Sequence, residues 1–358
     1  MVKKAGILGA TGSVGQRFIL LLAEHPDFEL SVLGASSRSA GKKYIQAVES
    51  GWKQTSQVPK AAHDIEVKEC TVENFKGCDV VFSGLEAEFA DTIEREFVDN
   101  GINVISNAKS YRRDPEVPLV VPTANPEHLD VFKNRKSSGK GIHVCISNCS
   151  TAGLVVPLKA LQDRFGPIES IVLTTLQAVS GAGFSPGVPS MDIIDNLVPY
   201  IGSEEDKLEW EPKKILGTVN SDGTGFNNIP DDKIKISATC TRVPVTDGHT
   251  ESVALKFAKS PAPSIDEVKK ALEDFSNECN SKACPSAPES LIDVLDQPNR
   301  PQPRLDRERG NGYTVSVGRV REDPVFDVKF VCLSHNTVLG AAGSGILIAE
   351  LLKAKNLI

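Results

Sequence analysis

AGILGATGSVGQRFILLLAEHP, residues 5–26, decides how the chain begins to fold. The apolar run AGILGA has the composition of a buried strand, and Gly9, Gly12 and Gly15 follow at the spacing G-x-x-G-x-x-G. Val14, Phe18, Leu21 and Leu22 then recur at helical intervals. Strand, glycine turn and helix in this order form a dinucleotide cradle. Glycines permit the tight turn, and amides at the positive end of the helix approach a pyrophosphate. The spacing differs from the commoner G-x-G-x-x-G, and glycine turns also occur without a ligand. Placement between strand and helix favours the nucleotide. The contacts expected are Gly9, Thr11, Gly12, Ser13 and Val14, with Ser83 in a later apolar run.

The alternation continues. FELSVLGAS, DIEVKEC, CDVVFSGL, NVISNA and HVCISN are short β-rich runs separated by helix-like segments such as FADTIEREFVDNG. This is the pattern of a doubly wound parallel sheet. Beyond the helical STAGLVVPLKALQDRFG come longer β-rich segments: ESIVLTTLQAV, KIKISATCTRVPV, TESVALKFA, YTVSVGRV and FDVKFVCLS. The expected fold is therefore α/β: an N-terminal Rossmann-like parallel sheet, then an α+β domain with a mixed, largely antiparallel sheet. The expected units are residues 1–147 and 148–336, with residues 337–358 forming a C-terminal helix that packs back on the first. DQPNRPQPRLDRERGNG, residues 296–312, reads as an exposed loop.

Composition narrows the function. Across 358 residues, 40% are hydrophobic and 24% charged, as in an ordinary globular protein, and the net charge of -7 argues against a nucleic-acid or anionic-membrane surface. Eight cysteines, none in a Cys-x-x-Cys pair, point to reduced thiols rather than a disulfide framework or a zinc site. MVKKAGILGATG enters the first strand with no leader pattern, and TVLGAAGSGILIAELLKAK is interrupted by Gly, Ser and Glu350. A buried helix and a cytoplasmic protein are the expectations.

Cofactor choice is read about 20 residues beyond the glycines, where an acid would bind the ribose of NAD. Here the second strand ends in GASSRSAGKK. Ser36, Ser37 and Arg38, followed by Lys42 and Lys43, suit a 2′-phosphate, so NADP is expected, although basic surface loops are common.

CISNCSTAG, residues 145–153, supplies a nucleophile. Cys149 falls where the strand HVCISN gives way to a helix, and a helix N-terminus or nearby cation lowers a thiol pKa from about 8.5. Cys145 lies inside the strand and reads as core. From these residues alone Cys149 is only modestly more catalytic than structural.

SNCST (147–151), the early GATGSVG, QAVSGAG (177–183), RVPVTDGH (242–249) and SHNTVLGAAG (334–343) occur together and in order. This combination resembles the aspartate-semialdehyde dehydrogenases, most of all their archaeal and fungal branch, over essentially the whole chain. The resemblance implies that Cys149 attacks aspartate semialdehyde, that hydride passes to NADP, and that phosphate releases 4-phospho-L-aspartate from a thioester. It implies His249 as the acid/base, Gln177 as an orienting amide, Arg242 for the substrate carboxylate and Glu204 for its ammonium. Lys207, Arg112 and Asn148 would meet the phosphate, and Ser180, Gly181, Asn336 and Thr337 the nicotinamide half of the cofactor. The register leaves Glu205, Lys213 and Lys214 as rivals within the helix, and Arg113 as the rival to Arg112. A homodimer built through the second domain, or a tetramer, is also implied, with no metal, nucleic acid or membrane.

Three other functions compete: a reductase for a related acyl phosphate such as that of N-acetylglutamate, an acyl-CoA-using relative, and a nucleotide sensor without turnover. Glu204 separates the first, because a free ammonium needs an anion and an acetylated amine does not.

Overall fold

The computed structural model of the chain describes residues 2–133, 139–183 and 187–358. Seven strands, β1 (Lys3–Leu8), β2 (Phe28–Ala35), β3 (Val67–Glu69), β4 (Val80–Ser83), β5 (Val104–Ser106), β6 (Leu119–Val120) and β7 (His143–Ile146), form the first sheet. Their order is β3-β2-β1-β4-β5-β7-β6, and every neighbouring pair is parallel. The order reverses between β1 and β4, the switch point at which such sheets bind ligands.

A parallel sheet must be covered on both faces. On one, helices Ser13–Leu22 and Gly343–Ala354 bury Phe18, Ile346 and Leu347 with Ile7, Phe82 and Ile146. On the other, helix Ala87–Asp99 brings Phe97 onto Leu8, Phe75 and Val104. Each such side chain removed from water contributes ~1.5–3 kcal/mol. The C-terminal stretch, expected as one helix, begins instead with a π-turn at Val338–Ala342, and this turn brings Gly340 against Cys149. Among the described residues no helix is long and apolar enough to cross a membrane.

After β8 (Ile168–Gln177) come a small antiparallel pair, β9 (Thr218–Val219) and β10 (Phe226–Asn227), then β11 (Lys235–Arg242), β12 (His249–Phe257), β13 (Ile292–Leu295), β14 (Val315–Glu322) and β15 (Val328–Ser334). The second sheet runs β11-β8-β12-β15-β14-β13. Three of its junctions are antiparallel and the two outermost parallel, so the sheet is mixed. Helix Cys149–Phe165, apolar on nearly every side, lies on its inner face and buries Leu154, Leu158 and Leu161 against Leu173, Val253 and Phe330.

The segment 296–312 differs from a plain exposed loop. Asp306 is buried and receives Arg300, Arg309 and the Gln302 N–H. These contacts fold the Pro- and Arg-rich strap on itself; Arg309 ties it to Asp293 of β13 at 2.9 Å, and Arg307 reaches the Asp247 carbonyl at 3.2 Å.

Candidate active site

The edge of the second sheet gathers three side chains. β8 and β11 run parallel with Gln177 opposite Arg242, so both end at the same level. β12 runs antiparallel to β8, and its first residue, His249, therefore starts at that edge. Gly248, at φ +99, makes the turn into it, a left-handed conformation that favours glycine. The Gly248 N–H donates to Asn336 Oδ1 at 2.8 Å, and Asn336 Nδ2 donates to Ser180 Oγ at 2.8 Å.

Cys149 comes from the other side, as the first residue of helix Cys149–Phe165. Asn148 caps that helix: its Oδ1 accepts from the N–H groups of Ser150 at 3.0 Å and Thr151 at 3.2 Å. A side-chain oxygen in this position satisfies amides that the helix cannot. The cap leaves Asn148 Nδ2 to donate to Glu204 Oε1 at 2.6 Å.

Sγ of Cys149 lies 3.2 Å from Nε2 of His249. On the far side of the ring, Nδ1 accepts the Ala178 N–H at 3.0 Å. A nitrogen that accepts carries no proton, so the proton of the neutral imidazole sits on Nε2 and points at sulfur. Burial, then Arg242 and His335, push His249 down to about 3, and the ring is neutral at ordinary pH. In this tautomer Nε2 is a donor toward sulfur. Burial and then Glu204 push the Cys149 thiol up to about 12, against the pull of Arg242, Lys207 and Arg112. The thiol is thus protonated at ordinary pH, and cations and a helix N-terminus stand ready to stabilise its anion. Cys145, wholly buried in β7, is pushed up further by burial.

A cleft of about 640 Å³ runs from this pair to the N-terminus of helix Ser13–Leu22. Cys149, Gln177, Glu204, Lys207, Arg112, Asn148, Arg242, Ser13, Val14, Ser180, Gly181, Asn336 and Thr337 all line it. Glu204 is buried and pairs with Lys207 at 2.7 Å. Arg242, also buried, donates to the Ala178 carbonyl at 2.6 Å. Gly181 fits so closely that a Cβ would lie 2.9 Å from Arg242 Nη1 and 3.2 Å from His249 Nε2.

The register questions have geometric answers. Arg112 faces the cleft, whereas Arg113 is exposed and stacks over Trp210 at 4.3 Å. Glu205 accepts from the Cys240 N–H, Lys213 pairs with Asp231, and Lys214 donates to backbone carbonyls. Ser83 does not reach the cleft. It is fully buried at the end of β4 and its Oγ accepts from the Leu85 N–H, while Glu86 and Ala87 beyond it form the wall. Ser36, Ser37 and Arg38 are exposed just after β2, outside the cleft lining.

Arg17, Gln54, Asn107, Lys109, Gly340 and Ala341 also line the cleft, and sequence reading missed them. Gly340 and Ala341 carried a signal, as part of SHNTVLGAAG; a Cβ on Gly340 would meet Cys149 Cβ at 2.9 Å. All eight cysteines are free, and no cluster of metal-ligating side chains occurs among the described residues.

A Rossmann-type sheet whose switch-point cleft ends on a thiol–imidazole pair defines a class: dehydrogenases that oxidise an aldehyde through a cysteine. Family models agree. The NAD binding domain of semialdehyde dehydrogenase matches residues 4–132, and the semialdehyde dehydrogenase dimerisation domain matches residues 158–339. The chain is 62% identical to the aspartate-semialdehyde dehydrogenase of Candida albicans over 100% of both chains. It is 60% identical to that of Saccharomyces cerevisiae over 99% of each. The crystal structure of the Candida albicans enzyme with NADP superposes with a TM-score of 0.94 at 60% identity, covering 100% of both chains. The chain belongs to the aspartate-semialdehyde dehydrogenase family.

Proposed function

We propose that the chain catalyses the NADP- and phosphate-dependent oxidation of L-aspartate 4-semialdehyde to 4-phospho-L-aspartate, and the reverse reduction. This step serves the aspartate-family route to lysine, threonine, methionine and isoleucine. The observation that carries the reading is the 3.2 Å approach of the buried His249 Nε2 to Sγ of Cys149, which opens at a helix N-terminus into a cleft lined also by Arg242 and Glu204. A glutamate carboxylate in the cleft wall, Glu204, favours an unacetylated amino acid over the N-acetylglutamate series.

The residues fit a dinucleotide. Gly9 has φ +74, and a Cβ on Gly15 would strike the Gly9 carbonyl at 2.2 Å, so the turn admits only glycine there. Gly12 caps helix Ser13–Leu22 without a side-chain hydrogen bond, which leaves the helix N-terminus open to a pyrophosphate. Gly9, Thr11, Gly12, Ser13 and Val14 would hold that group, Ser180, Gly181, Asn336 and Thr337 the nicotinamide half, and Ser36, Ser37 and Arg38 the 2′-phosphate. NADP, when bound, supplies the acceptor for the hydride that turns a thiohemiacetal into a thioester.

The chain's own residues do the rest. Arg242 grips the substrate carboxylate and Glu204 its ammonium, which fixes the aldehyde over Cys149. The Cys149 thiol first gives its proton to solvent in the open cleft, and the helix N-terminus with Arg242, Lys207 and Arg112 stabilises the anion. As this thiolate attacks, a C–S bond forms and the carbonyl oxygen becomes an alkoxide. The Nε2–H of His249, released from sulfur, donates to that oxygen. Gln177 orients the acyl group from the wall of the cleft. After oxidation, phosphate held by Arg112, Lys207 and Asn148 attacks the thioester carbon. The C–S bond breaks, and the departing thiolate returns to the Nε2–H of His249.

Residues 1–147 with 337–358 form the cofactor unit in this reading, and 148–336 the catalytic and dimerisation unit. A homodimer is supported by Val172 and Leu176, exposed on the outer face of β8, and by exposed Met191, Ile194 and Tyr200 in the same domain. The need for a free thiol at Cys149 suits the reducing cytoplasm. Formation of NADPH from aspartate semialdehyde, with and without phosphate, tests the function. Robust phosphate-dependent turnover is expected; its absence refutes the reading.

A further inference from the structure

Helix Glu204–Ile215 carries a stripe of alternating charge, Glu204, Lys207, Glu211 and Lys214, at intervals of three and four. Such spacing places all four on one face. That face is turned inward: Glu211 is fully buried, Lys214 nearly so, and Glu204 buried at the cleft. Ordinary solvated helix pairs do not account for a buried stripe. Glu204 and Lys207 belong to the substrate end already described. Glu211 and Lys214 have no role there, and both reach the segment that carries Arg112.

Glu211 uses each of its oxygens for a different element. Oε1 accepts from Arg112 Nη1 at 2.8 Å, and Oε2 accepts from the Asn148 N–H at 2.7 Å. The first partner is the phosphate arginine of the proposed function. The second is the cap residue immediately before Cys149. Lys214 completes the hold by donating to the carbonyls of Arg112, Asp114 and Val117 at 2.9, 2.7 and 2.8 Å. Arg112 Nη2 is fixed as well, on the Asn107 carbonyl at 3.0 Å. Its buried Nε has no partner among the described residues, and the side chain lines the cleft. A guanidinium clamped on two sides, with N–H groups to spare beyond those two bonds, is a preorganised donor for an oxyanion.

We infer that Glu211 is a positioning residue that fixes the phosphate-binding Arg112 relative to the Cys149 thioester, so that phosphate arrives aimed at the acyl carbon. The inference rests on the proposed function. It explains why a buried carboxylate lies between an arginine and a helix N-terminus: its charge is matched by the guanidinium and by the amide end of the helix. It also predicts a division of labour between the two half-reactions. Acylation of Cys149 needs no phosphate, so Glu211 bears on it only through Asn148. Phosphorolysis needs both contacts.

Glu211→Gln tests this, because an amide keeps an oxygen for the Asn148 N–H and gives up the anion that clamps Arg112. Two quantities are read on the whole enzyme with aspartate semialdehyde: the single-turnover burst of NADPH without phosphate, and kcat/KM for phosphate. The burst should match that of the unaltered enzyme, while kcat/KM for phosphate falls about a hundredfold, the scale of an ångström of misplacement. An unchanged phosphate dependence overturns the inference, and so does a parallel fall in burst and turnover, which marks a merely structural role. Arg112→Met/Glu211→Gln removes the buried ion pair as a unit and decides the matter if Glu211→Gln does not fold. Its phosphate dependence should equal that of Arg112→Met alone; a further loss contradicts action through Arg112. An unaltered enzyme without phosphate-dependent turnover refutes the proposed function itself, before any variant is compared.

Discussion

The backbone N–H of Ala178 donates to Nδ1 of His249 at 3.0 Å. This contact sets the proton on Nε2, facing Cys149, and it is lost if Nδ1 also takes a proton. Burial adds to it by holding His249 down to about 3. The folded chain therefore binds fewer protons than the unfolded one between about pH 6.5 and 3, and this group costs stability as pH falls through that window. Nitrogen NMR of histidine-labelled protein should show His249 as the neutral Nε2–H tautomer from pH 8 to pH 5. An imidazolium signal at pH 6 contradicts the tautomer.

Glu204 plays two parts with opposite signs. Its charge raises the Cys149 thiol, second only to burial. Glu204→Gln removes that charge, lowers the thiol pKa and increases the thiolate present at pH 8. Alkylation of Cys149 in the free enzyme should become several-fold faster while kcat/KM for aspartate semialdehyde falls. Slower or unchanged alkylation would show that Glu204 does not act on the thiol.

The fold and its chemical centre were legible where local sequence carries the cause. A strand, three glycines and a helix read out the nucleotide turn, and the strand-to-helix junction at SNCST located Cys149. Glu211 was illegible because acid and base at i, i+3 look the same on a wet face and a buried one; only packing against the Arg112 segment tells them apart. The choice between Arg112 and Arg113 depended on Trp210, which draws Arg113 outward. Strand β6, two residues long, is too short to leave a period, and it forms by pairing with β7. The strap at 296–312 read as exposed because its composition is polar, yet Asp306 organises two arginines around a buried carboxylate.

Arg242 is buried with one N–H committed to the Ala178 carbonyl, so its remaining donors can meet a carboxylate in two parallel bonds. Arg242→Leu should cost roughly 3–5 kcal/mol in kcat/KM, the penalty for orphaning a desolvated charge partner. Arg242→Lys should recover only part of it, because an ammonium lacks the planar fork. Steady-state kinetics on both variants check this, and full recovery by lysine would exclude the two-bond grip.

Arg38 stands exposed just after β2, beside the cofactor half of the switch point. Arg38→Ala should raise KM for NADP far more than KM for NAD. An equal rise in both would place Arg38 outside the 2′-phosphate site.

The central claim is that Cys149, and not Cys145, carries the acyl group. Cys145 is sealed in β7 with no exposed surface, whereas Cys149 opens into the cleft. Mixing enzyme, NADP and aspartate semialdehyde without phosphate, quenching in acid and mapping the adduct by mass spectrometry tests it directly. The account predicts an aspartyl thioester on Cys149, discharged when phosphate is added before the quench. An adduct on Cys145, or a Cys149→Ser enzyme that still turns over, would contradict it.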